Sequence, residues 1–255
     1  MKVLKNIILL VPLAILGLCL SSCSEDDDKG GGGGQGKGLK LTEAIFPGGY
    51  RYVLSYDSEG RISRYDCYDS GRIEKTASFI YGDGIITVHV TGNDGYGSSV
   101  LYALDDNGFI ERMIDVGGGD AVSFMYDSGQ RLASAHFNDW GTEYFTWEDG
   151  NLVRVEAVDD DGMTETWMYE YNDEPSWKGV VYWDDALIDI SINGTDFSLL
   201  ANMGYLGKLP ENLVSGHKRE SSTATDGISY RFGKNGYVSE ILDGSSMMGV
   251  TLVWK

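Results

Sequence analysis

From residue 39 onward, hydrophobic and polar residues alternate along the chain, and short glycine-containing turns interrupt the alternation. In the segment 143–147, Glu143, Phe145 and Trp147 share one face of an extended chain, and the two residues between them share the other. A period of two residues predicts β-strands. Both faces carry apolar side chains, which favours a curved sheet or a barrel over a flat exposed ribbon.

The turns share one form: an aromatic or apolar residue, a polar turn containing Gly, and a second apolar residue. They are Tyr56–Ile62, Tyr68–Ile73, Tyr81–Ile86, Leu104–Ile110, Tyr126–Leu132, Trp147–Leu152 and Phe232–Val238. Asp, Asn and Gly accept the backbone conformations of tight hairpin turns. Successive anchors at 56, 81, 104, 126 and 147 are 25, 23, 22 and 21 residues apart, enough for two strands and two turns. The sequence therefore predicts an all-β fold, an antiparallel meander of repeated hairpins.

Residues 172–225 break this rhythm. Asp196–Met203 favours a short helix, with Thr195 or Asp196 as its N-cap, and a loop follows over 207–213. We therefore expect one short helix and loop insertion near residues 195–215 within the all-β domain.

The N-terminal residues resemble the leader of a bacterial lipoprotein. Lys2 and Lys5 precede an apolar stretch, Ile7–Leu20, that is short for a membrane span and typical of a signal peptide. Leu20-Ser21-Ser22-Cys23 then resembles the lipobox, and in lipoproteins the chain is cut before this Cys, which is acylated, for example with palmitate. The resemblance implies a signal peptide over 1–22 and lipidation at Cys23; an ordinary secretion signal is the alternative.

The segment after Cys23 predicts a localisation signal and a tether. Ser24–Lys29 is acidic and resembles the surface-export signal of Bacteroidota lipoproteins, which implies the outer membrane and a domain facing the cell exterior. A charged tether that only keeps the chain solvated is the alternative. Gly30–Gly38 is a flexible spacer, about 15–18 Å long as a random coil. The expected division is signal peptide 1–22, lipidated Cys and tether 23–38, and one all-β domain over 39–255.

The composition argues against one class of ligand and against a disulfide bond. The chain has 39 Asp and Glu against 20 Lys and Arg, a net charge of -19, so nucleic acid is not an expected ligand. Cys19 lies in the signal peptide and Cys23 is the lipidation candidate, which leaves Cys67 alone and predicts no disulfide.

The motifs of catalysis and metal binding are weak. His89, His136 and His217 have no second ligand at zinc-site spacing, so we expect no catalytic residue, no cofactor and no metal. Asp159–Gly162 has part of a calcium-loop pattern, yet its early Gly favours a hairpin turn; a weak calcium site stays open. Paired carboxylates would suit a carbohydrate hydrolase, but 39 acidic residues offer too many pairs to select one.

Tryptophans are the remaining ligand candidates, since flat rings beside Asp, Asn and Glu can stack on sugars. Trp140 and Trp177 lie in loop-like sequence, and Trp183 precedes two Asp residues, so these three are the candidate ligand-binding residues. Trp147 and Trp167 fit strand faces and are expected to pack in the core.

The Tyr-Asp-x-x-Gly-Arg-Ile hairpins resemble YD repeats in general. Together with the late loop at 203–214 and the lipoprotein leader, they resemble a group of Bacteroidota lipoproteins that carry a porin-like domain of unknown function. The resemblance implies an all-β, barrel-like domain and brings no activity. A lipid-facing barrel needs an unbroken apolar outer band, which these charged strands do not offer.

The sequence therefore favours a non-catalytic surface lipoprotein that binds a glycan or a protein. Two alternatives stay open: a carbohydrate hydrolase that uses paired carboxylates, and a structural protein that assembles through free strand edges.

Overall fold

The computed structural model of the protein describes residues 38–116, 121–182, 188, 190, 195–244 and 249–255. The N-terminal segment with Cys23 and the candidate Trp183 lie outside these residues. None of the helices that the model describes is both long enough and apolar enough to cross a membrane.

The described chain forms sixteen strands in one antiparallel meander. They are β1 (Leu41–Ile45), β2 (Arg51–Tyr56), β3 (Ile62–Asp69), β4 (Arg72–Gly82), β5 (Ile85–Gly92), β6 (Gly97–Leu104), β7 (Ile110–Asp115), β8 (Ala121–Tyr126), β9 (Leu132–Phe137), β10 (Gly141–Glu148), β11 (Asn151–Asp159), β12 (Thr164–Pro175), β13 (Asn212–Arg219), β14 (Asp226–Phe232), β15 (Val238–Asp243) and β16 (Gly249–Trp254). The prediction of an all-β meander is confirmed.

The sheet closes into a barrel because β1 pairs with β16, with Leu41 opposite Trp254 and Ala44 opposite Leu252. The sequence predicted either a curved sheet or a barrel, and the structure is a closed barrel. Each strand of the described sheet has a hydrogen-bonded neighbour on both sides. Closure gives every described strand two neighbours, which argues against assembly through a free edge strand.

The two ends of the barrel differ in what they carry. We call the end at which the described chain begins and finishes the proximal end; there the backbones of Lys40 and Lys255 exchange hydrogen bonds of 2.8 and 2.9 Å. The hairpin turns β2–β3, β6–β7, β8–β9 and β14–β15 lie at this end. The opposite, distal end carries the β1–β2, β9–β10, β11–β12 and β13–β14 turns.

Six of the seven repeated turn sequences form proximal hairpins, and Tyr68–Ile73 forms the distal β3–β4 turn. In the β2–β3 turn, Asp57 Oδ1 accepts hydrogen bonds from the backbone N–H groups of Glu59 and Arg61, both at 2.9 Å. Gly60 has a φ of +87°, a conformation that glycine adopts without strain. The β8–β9 turn follows the same plan with Gln130 at a φ of +65°. The Asp and Gly of the motif therefore act as turn residues, as the sequence predicted.

The anchor aromatics have a further role in this fold, which we call the aromatic latch. Between β7 and β8 the paired residues end at Arg112 and Ser123, before the proximal end. There the Tyr126 hydroxyl donates a 2.6 Å hydrogen bond to the Ile110 carbonyl and bridges the splayed strands. The latches that the model describes run from Tyr56 to Leu41, Tyr81 to Ile62, Tyr126 to Ile110, Trp147 to Leu132, Tyr171 to Leu152, Tyr230 to Val214 and Trp254 to Val238.

The β5–β6 pair shows what happens where an anchor cannot form a latch. Leu104 holds the anchor position of β6 and has no side-chain donor. There the pairing of β5 with β6 continues to Ile85 opposite Ala103, and the Leu104 N–H donates to Gly84 at 2.8 Å. A latch thus replaces the last backbone hydrogen bonds where the strands separate.

Apolar side chains face the interior and charged pairs face outward. On β3, Tyr65 and Cys67 are buried, whereas Arg64 and Asp66 lie on the opposite face and form an ion pair at 2.6 Å. Arg231 and Glu240 form another such pair between β14 and β15. This polarity is the reverse of a lipid-facing barrel, which is apolar outside and polar inside.

The described part of the insertion between β12 and β13 packs inside the barrel, against β6 and β8. It contains α1 (Thr195–Leu200), in which all six residues are buried, and a π-helical turn (Ala201–Tyr205). Phe197 stacks on Phe124 of β8, with ring centroids 5.8 Å apart. We call residues 195–206 the plug. The predicted short helix near 195–215 is confirmed, and it lies in the barrel interior.

Candidate ligand-binding site

Trp140 lies in the β9–β10 turn at the distal end. Its ring stacks on Phe137, with centroids 5.0 Å apart and an interplanar angle of 27°. Its carbonyl accepts a 2.9 Å hydrogen bond from the Asp160 N–H in the β11–β12 turn. The next residue, Gly141, approaches β11 so closely that a Cβ there would lie 2.1 Å from the Val158 oxygen. Trp140 is therefore half-buried. Its ring packs on Phe137, and its backbone is bonded to the β11–β12 turn.

A groove of about 890 Å³ surrounds Trp140, between the β9–β10, β11–β12 and β13–β14 turns. This volume is in the range of small-molecule sites. Met163, whose side chain is 70% exposed, adds a second apolar surface. Carboxylates line the rest: Asp139, Asp159, Asp160, Asp161, Glu165 and Glu220. A flat ring beside hydrogen-bond acceptors can stack on a sugar ring and accept hydrogen bonds from its hydroxyl groups.

We call this groove the distal groove, and its electrostatic potential is negative. The nearby cation Arg219 forms a 2.8 Å ion pair with Glu165, and its guanidinium carbon lies 4.7 Å from the centre of the Trp167 ring. Both members of the ion pair are about half exposed, at 56% and 48%, so the pair contributes little to stability. One arginine against six carboxylates leaves the groove repulsive to anions.

Two polar residues that the sequence did not single out as site residues lie on the inner wall. Glu143, 3% exposed, is the register partner of Ala157, which lines the distal groove. His217 Nδ1 is shielded from solvent and has no hydrogen-bond partner in the described structure. The ring of His217 lies 6.0 Å from that of Trp167. Alternation placed Glu143 on the face of Phe145, but only closure makes that face the interior.

Trp177 lies at the other end of the barrel. It follows β12 at the proximal end, is 54% exposed, and contacts Tyr237 edge-on with ring centroids 5.8 Å apart. Trp140 and Trp177 therefore cannot contribute to one site. Trp147 and Trp167 have the structural roles expected of them: Trp147 is a latch and Trp167 packs against the core.

Among the described residues, no group of three or more His, Cys, Asp or Glu side chains is arranged to hold a metal ion. Asp159–Gly162 forms the β11–β12 turn, as predicted, and Asp159 Oδ1 accepts a 2.7 Å hydrogen bond from the Met163 N–H. His89 and His136 lie 2.7 and 3.0 Å from the hydroxyls of Ser99 and Thr142.

Comparison with known proteins shows the fold. No family model matches the chain, and no curated protein matches it. Among solved structures, a porin-like protein from Bacteroides uniformis ATCC 8492 has a TM-score of 0.63 and 12% identity, covering 84% of this chain and 98% of that one. A porin-like protein from Bacteroides vulgatus ATCC 8482 has a TM-score of 0.54 and 15% identity over the same shares. The chain thus shares its barrel fold with porin-like proteins of Bacteroides.

Proposed function

We propose that this protein is a non-catalytic surface lipoprotein whose distal groove binds a glycan. The observation that carries the proposal is the place of Trp140. Its ring stacks on Phe137 and its backbone is bonded to the β11–β12 turn, among carboxylates, at the end of the barrel opposite the start of the described chain. The fold shared with porin-like Bacteroides proteins is consistent with a place at the outer surface of the cell.

The topology supports this orientation. Lys40 lies at the proximal end, so a lipid on Cys23 would draw that end toward the membrane. A spacer of nine residues, Gly30–Gly38, would reach about 15–18 Å as a random coil. The distal groove would then face away from the membrane, where it could meet a ligand.

The charge of the groove selects among glycans. Carboxylates accept hydrogen bonds from sugar hydroxyls and attract protonated amino groups. They repel uronic acids and sulfated sugars. We therefore expect neutral or amino-bearing glycans to bind and acidic polysaccharides to be rejected.

A glycan array tests the proposal. The probe is residues 39–255, which contain every strand of the described barrel, applied to plant, host and microbial glycans. Trp140→Ala should reduce binding about fivefold or more, since stacking on an aromatic ring contributes ~1–3 kcal/mol by analogy with base stacking. Trp177→Ala is the matched control, because it removes an exposed ring at the proximal end and should leave binding unchanged.

A blank array, or equal loss in both variants, would overturn glycan binding at this groove. Any glycan that binds is then incubated with the protein and analysed for shortened products. Release of products would contradict the non-catalytic assignment and return the carbohydrate hydrolase to first place.

A further inference from the structure

We propose that the proximal end carries a second contact surface, which rests on phospholipid headgroups. The surface consists of Trp177, Lys178, Phe232, Lys234 and Tyr237. This inference rests on the proposed function in one respect, that the chain is anchored through Cys23.

Two large rings are exposed side by side on this proximal surface. The side chains of Trp177 and Phe232 are 54% and 40% exposed. Lys178 Nζ lies 5.8 Å from the Trp177 ring centre and 5.7 Å from that of Phe232, so it lies close to both. Tyr237 supports the group from beneath, edge-on to Trp177 at 5.8 Å and 5.0 Å from the Trp254 ring. The rings are thus held in place and yet face solvent.

The surrounding charges suit phosphate groups. Lys234 is exposed at the tip of the β14–β15 turn, and Lys255 lies at the same end, where it pairs with Glu43 at 4.0 Å. The nearby carboxylates are Glu174, which pairs with Lys178 at 2.6 Å, and Asp173. Around the rings, Lys178 and Lys234 are therefore matched by Glu174 and Asp173, a balance that suits headgroups carrying both charges and differs from the negative distal groove.

This combination of side chains matches the boundary between lipid and water. Trp and Tyr bury an apolar body while their polar atoms stay hydrated, and Lys places its stem among lipids with its charge at the phosphates. The whole chain has a net charge of -19, so a strongly anionic bilayer would repel it. A zwitterionic phospholipid surface is the occupant that fits, because it offers phosphate groups without net charge.

The position of this surface at the proximal end explains how a weak contact with the membrane can be occupied. The thirty-seven residues that precede the described chain join it at the proximal end, next to Lys40. An anchor in that segment would keep the rings within a few nanometres of the bilayer. Such tethering raises the effective concentration to about the millimolar range, at which even a weak contact is occupied.

Vesicle quenching tests the inference. Residues 38–255 with an N-terminal histidine tag are attached to phosphatidylcholine vesicles that contain a nickel-chelating lipid, and part of the phosphatidylcholine carries bromine on its acyl chains. Bromine quenches tryptophan fluorescence only on close approach. We expect quenching in the native chain and about a threefold smaller effect in Trp177→Ser, since the anchoring ring is lost. Trp140→Ala, at the distal end, should retain the full effect.

A second pair of variants separates contact from loss of a fluorophore. Phe232→Ser and Lys234→Glu leave every tryptophan in place and should each reduce quenching about twofold. Unchanged quenching in these variants, or equal quenching after Trp177→Ser, would overturn the inference. Because the tag supplies the attachment, the result does not depend on glycan binding or on acylation in cells. Acylation is tested separately by labelling cells with a palmitate analogue and comparing Cys23→Ser.

Discussion

At the scale of single residues, the aromatic latch gives four of the aromatic anchors, Tyr56, Tyr81, Tyr126 and Trp147, a structural role before their turns. Tyr126 ends β8 where β7 and β8 have separated, and its hydroxyl donates to the carbonyl of Ile110. A buried carbonyl without a partner costs about 1–3 kcal/mol, so the latch lets the strands splay at the proximal end without that loss. Trp147 does the same through its indole N–H.

Removal of one latch should lower stability by about 1–2 kcal/mol, because Tyr126→Phe leaves the Ile110 carbonyl unsatisfied while it keeps the ring. Urea unfolding followed by circular dichroism measures the change. The control is Tyr144→Phe, which removes a hydroxyl from a side chain that is 51% exposed. Equal effects of the two substitutions would contradict the latch.

The latches also predict sensitivity to base. Burial raises the pKa of the Tyr56, Tyr126 and Tyr171 hydroxyls above the usual value. A group whose pKa is raised by folding contributes stability that is complete below its unfolded pKa, about 10, and is lost as pH rises above it. We expect the phenolate absorbance of these buried tyrosines to appear together with the loss of circular dichroism, above about pH 10. Complete ionisation of all tyrosines before any loss of circular dichroism would contradict this expectation.

At the scale of elements, the plug shows a helix that exists only through its surroundings. A six-residue helix is too short to be stable alone in water. In this barrel the Asn202 side chain holds it, since Oδ1 accepts from the Val181 and Tyr182 N–H groups and Nδ2 donates to the Ser198 carbonyl at 2.8 Å. The Tyr102 hydroxyl donates a 2.6 Å hydrogen bond to Asp196. Tertiary contacts therefore decide where this helix lies.

Two glycines test how tightly the end of the insertion is seated. Gly207 and Gly108 have φ values of +80° and +85°, so alanine strains both, by about 1 kcal/mol. A Cβ at Gly207 would also lie 2.5 Å from the Gln130 oxygen, whereas one at Gly108 meets nothing within 4 Å. In urea unfolding, Gly207→Ala should therefore cost about 3 kcal/mol or more, and Gly108→Ala about 1. Similar losses would mean that the insertion can shift away from the β8–β9 turn.

At the scale of the whole molecule, closure of the sheet stabilises the barrel, whereas the net charge destabilises it. Pairing of β1 with β16 joins residues at opposite ends of the chain and encloses the core. The net charge of -19 favours solubility but makes the folded state repel itself. The distal groove concentrates part of this charge, so binding there and the stability of the barrel depend on the same field.

Salt should therefore stabilise the barrel. Screening at about 0.15 M shortens the range of repulsion to about 8 Å, and we expect the midpoint of thermal unfolding to rise between low and physiological ionic strength. Exposed ion pairs such as Arg231–Glu240 weaken in salt, but such pairs contribute under about 1 kcal/mol. A midpoint that falls with added salt would show that these pairs outweigh the net charge.

The sequence alone determined the local structure. Alternation identified the strands, and the Asp-x-x-Gly turns predicted the hairpins because each turn is made by neighbouring residues, as Asp57 and Gly60 are. The break in rhythm predicted the insertion that contains α1. The expected loop position of Trp140 also agrees with the structure, whereas Trp177 lies in a short 3-10 helical turn after β12.

The tertiary structure decided what depends on contacts between distant residues. Pairing of Leu41 with Trp254 closes the barrel, and closure determines that Glu143 and His217 face inward. The same closure places Trp140 and Trp177 at opposite ends, although both have the local sequence of an exposed loop. The hydrophobic pattern shows which residues share a face, but the face that becomes the interior is chosen only when all strands bury their apolar sides together.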